Sequence, residues 1–84
     1  MQQADKINLE NLGKRIRELR KLRSPSLNRF VYSKGGLTTA TWSRIENGKF
    51  DAKFSTLVKV SAMLGIKIED LLKDLNLNYS LEEN

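Results

Sequence analysis

The chain of 84 residues has no cysteine, no histidine and a single proline. Without cysteine there is no disulfide and no thiol nucleophile, and without either residue nearly every zinc arrangement is excluded. That fits a reducing interior. No apolar run approaches the roughly 20 residues that a membrane span needs. No signal peptide opens the chain, so a cytoplasmic location is expected. A nucleotide-binding glycine loop and paired carboxylates are missing too, which leaves nothing to carry a reaction. Glu69 and Asp70 read as acids suited to a helix N-terminus rather than as an acid–base pair. Neither an enzyme nor a cofactor or small-molecule site is expected.

What remains is 39% apolar and 30% charged residues, the balance of one small soluble domain with a modest core. The net charge is +5, unevenly spread: residues 1–50 carry +7 and residues 51–84 carry −2. A cationic half beside a slightly anionic one can steer a molecule face-first onto a polyanion. A solvated basic helix that binds nothing has the same composition, so charge alone does not choose between them.

Periodicity predicts five short helices and no strand, an all-α chain. Over residues 5–23, Leu9, Leu12, Ile16 and Leu19 form one helical face, with Arg and Lys around the rest and Gly13 as a mild weakness. Ser24-Pro25-Ser26 breaks this helix, and Ser26 can cap a second over 27–34 with Leu27, Phe30 and Val31 inward. Gly35-Gly36 ends it. Thr38 can cap a third helix at 39–47, whose apolar side is Trp42 and Ile45 and which Gly48 stops. Ser55 is expected to cap a fourth, carrying Leu57, Val60, Ser61 and Leu64 and closed by Gly65. A fifth, at 68–75, offers Ile68, Leu71, Leu72 and Leu75.

None of these helices is stable alone, so they must pack together. The second and third, joined by a tight glycine turn, form a helix-turn-helix at about 27–47. If Trp42 and Ile45 grip the core, Thr39, Ala40, Ser43 and Arg44 face outward. Short side chains on such a helix let it approach base edges in the major groove of DNA. Its N-terminus presents free N–H groups to phosphate.

The segments LGKRIRELRKLR, TTATWSRIENGK and FSTLVKVSAMLGIKIEDLL resemble the phage repressor and Cro-like (XRE) helix-turn-helix family across residues 12–75. The most specific piece is SRIENG at 43–48, and the run from MLGI into EDLL is the second. The resemblance implies a lambda-repressor-like five-helix bundle that binds a palindromic operator as a homodimer, with residues 1–75 as the domain and 76–84 as a tail. By the same resemblance Thr39, Ala40, Ser43 and Arg44 read bases, while Thr38, Thr41, Asn47, Lys49 and Lys53 meet phosphate. Glu46 matches a carboxylate that pairs with a first-helix arginine, here Arg20. The other basic residues of that helix (Lys14, Arg15, Arg17, Lys21, Arg23) are expected to be solvated.

Two departures stand out. Relatives carry Gln near the start of helix two, where this chain has Leu27 or Asn28. One extra residue precedes Trp42; placed in the Gly35-Gly36 turn it keeps Val31 at the close crossing, and placed in the Ser24–Ser26 loop it makes Asn28 the phosphate contact. Helix five also lacks a Ser/Thr cap, having Lys67 there. The leucines 71, 72, 75 and 77 with Tyr79 are expected to give a dimer surface. A protein–protein adaptor that has kept the fold is the competing reading, favoured by Ala40 and the missing Gln.

Overall fold

The computed structural model describes residues 3–79 and 81, and all regular structure among them is helical. The helices are α1 (Gln3–Arg23), α2 (Leu27–Lys34), α3 (Thr39–Glu46), α4 (Phe54–Leu64) and α5 (Ile68–Leu72). The long α1 packs against each of the other four, and α2 against α3 forms the helix-turn-helix. Leu12 and Ile16 of α1, Phe30 and Val31 of α2, and Trp42 and Ile45 of α3 meet Val60, Met63, Leu64 and Leu71 in one core. Trp42 is fully buried, its ring 5.0 Å from that of Phe30 at a 58° tilt, an arrangement aromatic quadrupoles favour.

The caps explain most of the boundaries. Ser26 accepts a hydrogen bond from the Arg29 N–H, and Thr38 accepts one from the Thr41 N–H, each satisfying an orphan donor of the first turn. At the end of α3, Gly48 has φ +68°, its N–H donates to Ile45 O, and the Lys49 N–H donates to Arg44 O. This crossed pair of bonds is a Schellman motif, which turns the chain sharply back. The end of α4 repeats it through Gly65 and Ile66.

Three expectations need correction. Ser55 does not cap α4; the helix begins at Phe54, with Lys53 at the cap position and no side-chain bond there. The first helical bond already runs from the Leu57 N–H to Lys53 O, so Ser55 lies inside the first turn. Helix α5 stops at Leu72 rather than 75, because Lys73 is extended (φ −62°, ψ 137°) and Asp74 takes a positive φ of 63°. Arg15 of α1 meets the exposed end of this helix, binding the carbonyls of Asp70 and Leu71, each at 2.8 Å. Finally Leu71 is wholly buried, and Leu72 and Leu75 pack on the same core. Leu71 therefore offers nothing to a dimer surface, and Leu72 and Leu75, half-buried on their own core, keep only part of their surface outside it.

Beyond α5 the chain runs back along α1. The amide of Asn8 donates to Asn78 O and accepts from the Asn78 N–H, and Asn11 donates to Asn76 O. Leu77, Tyr79 and Leu81 remain exposed.

Candidate nucleic-acid interface

The orientation of α3 is set by what it buries. Trp42, Ile45 and Glu46 are all at most 5% exposed. A buried carboxylate is costly unless it is paired and hydrogen-bonded. Glu46 is both. Arg20 donates from Nε to Oε2 at 2.9 Å and from Nη2 to Oε1 at 3.0 Å, a bidentate fork, and the Trp42 indole N–H donates to Oε2 at 2.6 Å. Arg17 adds a longer bond from Nε to Oε1 at 3.3 Å. The remaining donor of Arg20, Nη1, reaches the carbonyls of Ser24 and Pro25. One guanidinium thus joins α1, the turn before α2, and the C-terminal end of α3.

Burial by itself would push the Glu46 carboxyl up. The bonds from Arg20, Trp42 and Arg17, together with the Arg20 charge, outweigh it and hold the group below the usual carboxylate range. The bond to Glu46 raises Arg20 in turn, against its own desolvation. The pair is ionised at neutral pH.

With that side buried, the opposite side of α3 is the one the sequence predicts. Ala40 and Arg44 are exposed, and Thr39 and Ser43 are half-buried at its margins. Thr38 and Thr41 stand at the N-terminal end, but their hydroxyls are 3.0 Å apart and bonded to each other. Asn47 is exposed, yet its side chain closes the helix: the amide donates to Ser43 O, and the oxygen accepts from Arg17 Nη2. Lys49 and Lys53 are exposed in the loop between α3 and α4.

Leu27 is half-buried against the core, whereas Asn28 is exposed. Asn28 lies with Tyr32, Thr38 and Thr39 along an open cleft of about 680 Å³ between α2 and the start of α3. Val31 is buried and Tyr32 is 92% exposed, the arrangement expected when the extra residue sits in the glycine turn. Asn28 nevertheless borders the start of α3, because Leu27 is turned inward.

Several residues escaped sequence reasoning. Gly13 reads as a weak point of α1, but a Cβ there would lie 2.5 Å from Glu46 O and 2.6 Å from Ile45 O. It is where α1 and α3 touch backbone to backbone. Arg15, Arg17 and Arg23 are not merely solvated; Arg15 and Arg23 bind carbonyls at the ends of α5 and α4. Phe50 carries no sequence expectation, yet the Arg44 guanidinium lies over its ring, 5.2 Å from the centroid. Its place two residues beyond the helix-ending glycine was the available signal.

Among the described residues no acidic, histidine or cysteine cluster could hold a metal, and no helix is long and apolar enough to cross a membrane.

Comparison with known proteins agrees with this geometry. Residues 14–75 match the Cro/C1-type HTH DNA-binding domain family. The chain is also 42% identical over 62 residues to RghRB of Bacillus subtilis (strain 168), described as an uncharacterized HTH-type transcriptional regulator. That stretch covers 71% of this chain but 43% of the relative, so the likeness reaches less than half of that protein. The family match runs from within α1 through α5, taking in the Arg20–Glu46 pair and the outward face of α3: this chain belongs to the Cro/C1-type helix-turn-helix DNA-binding domain family.

Proposed function

We propose that this chain is a sequence-specific, double-stranded DNA-binding transcriptional regulator that represses by occupying a palindromic operator as a homodimer. One observation carries the reading. Trp42, Ile45 and Glu46 are buried, so Thr39, Ala40, Ser43 and Arg44 are left on the free side of a short helix. These four residues supply base contacts, and Thr38, Thr41, Asn47, Lys49, Lys53 and Asn28 supply phosphate contacts around them. Phosphate contacts give most of the affinity and fix register; base contacts give the discrimination. Leu77, Tyr79 and Leu81, beyond α5, are among the exposed apolar residues and would serve self-association. A cytoplasmic location goes with this role.

Selection of bound duplexes from a random library tests class and stoichiometry together. A two-fold symmetric consensus is expected, with binding that weakens steeply as salt rises. No binding to any duplex at low salt overturns the reading and leaves a protein–protein module on the same fold. Sedimentation checks the dimer separately: a strict monomer, both free and on the selected palindrome, removes it.

A further inference from the structure

Resting on the reading of α3 as the base-contacting helix, we infer that Phe50 positions Arg44 and thereby makes guanine the preferred base opposite it. The argument begins with the helix end. Arg44 supplies the carbonyl that accepts the Lys49 N–H, and Gly48 adopts the positive φ that this bond requires. The turn therefore folds the next residue, Phe50, back beneath Arg44. Phe50 is itself held, half-buried against the core. Its ring is a fixed platform, and the guanidinium carbon sits over it at 5.2 Å, within cation–π range.

Among the described residues the Arg44 side chain has no hydrogen bond or ion pair, unlike Arg15, Arg17, Arg20 and Arg23 of α1. The ring contact steadies the guanidinium without using any of its N–H donors, which remain available. Two such donors match guanine O6 and N7 bidentately. A long arginine free in solution loses rotamer freedom on docking, whereas one already laid on a ring loses less. Ala40, one turn earlier on the same face, adds neither bulk nor charge to compete. Lys49 and Lys53 stand in the adjoining loop to meet phosphate, so Arg44 is not needed there.

The test uses the full chain and the duplex obtained by selection. Each guanine of that duplex is replaced in turn by adenine or 7-deazaguanine, and competition binding gives the discrimination at every position. Arg44→Ala is expected to erase a preference of about ten- to hundred-fold at one guanine per half-site. Phe50→Leu should reduce that same preference about two- to five-fold, leave binding to unrelated duplex unchanged, and be rescued by Phe50→Tyr. If Arg44→Ala erases the preference while Phe50→Leu keeps it whole, Phe50 is only a core residue and the inference is overturned alone. If Arg44→Ala changes no base preference, the base-reading role of Arg44 falls with it. Should Phe50→Leu not fold, the wild-type NMR spectrum decides: upfield ring-current shifts of the Arg44 side-chain protons are expected, and their absence overturns the proposal.

Discussion

Glu46 accepts bonds from Arg17 and Arg20 of α1 and from Trp42 of its own helix, and so ties the two helices together. Glu46→Gln would leave the Arg20 guanidinium buried against a neutral amide. Removing one partner of a buried pair costs about 3–5 kcal/mol, so urea unfolding of this variant should shift by that order. The native carboxyl is held below its usual range, so the unfolded chain takes up its proton first as pH falls. The stabilisation is therefore complete at neutral pH and is lost as pH drops below about 4. A pH titration of stability should show that loss in the wild type, and a smaller one in Glu46→Gln. Gly13 makes the opposite point about small residues. Glycine to alanine in an exposed helix gains about 1 kcal/mol. Here the added carbon would meet two backbone oxygens of α3 at 2.5 and 2.6 Å, and overpacking costs about 1–3 kcal/mol. Gly13→Ala should lower the melting temperature; a rise would contradict the close crossing.

At the scale of the element, arginines of α1 complete helices elsewhere in the chain. The last carbonyls of a helix lack partners within it, and cationic donors there also suit the helix dipole. Arg15 serves α5 this way, and Arg23 serves α4 through Leu64 O. Helix α5 is five residues long and has no side-chain N-cap, so it depends on this support. Arg15→Ala should cost about 1 kcal/mol and lower hydrogen-exchange protection in α5 and the following turn, with α2 and α3 little changed. Equal loss across all five helices would show that Arg15 acts on the whole domain instead.

At the scale of the molecule, fewer basic side chains of residues 1–50 are available for direct contact with a polyanion than their net +7 suggests. Arg15, Arg17, Arg20 and Arg23 are engaged with the protein, while Lys49 and Lys53 are exposed beside α3. Lys49→Ala or Lys53→Ala should weaken binding about equally on specific and unrelated duplexes, and each should reduce the salt slope by about 1. Anisotropy titrations over a range of salt would read both quantities. An unchanged slope would move the phosphate contact to another residue.

Much of this molecule was legible along the chain, because helices, caps and amphipathic faces are local. The bounds of α2, the caps Ser26 and Thr38, the burial of Trp42 and Ile45, and the outward set on α3 follow from spacings of one to four residues. What spacing could not supply is the meeting of distant backbone. The anchoring of α5 by Arg15, the crossing at Gly13 and the burial of Leu71 each depend on two helices being brought side by side. The same holds for Arg44 above Phe50, where the turn after α3 and the core beneath it decide together where the ring lies. Sequence alone determined which face of each helix is apolar, since periodicity is a property of the element. Only the tertiary structure decided which donors and rings those faces meet, since such contacts arise when separate elements pack.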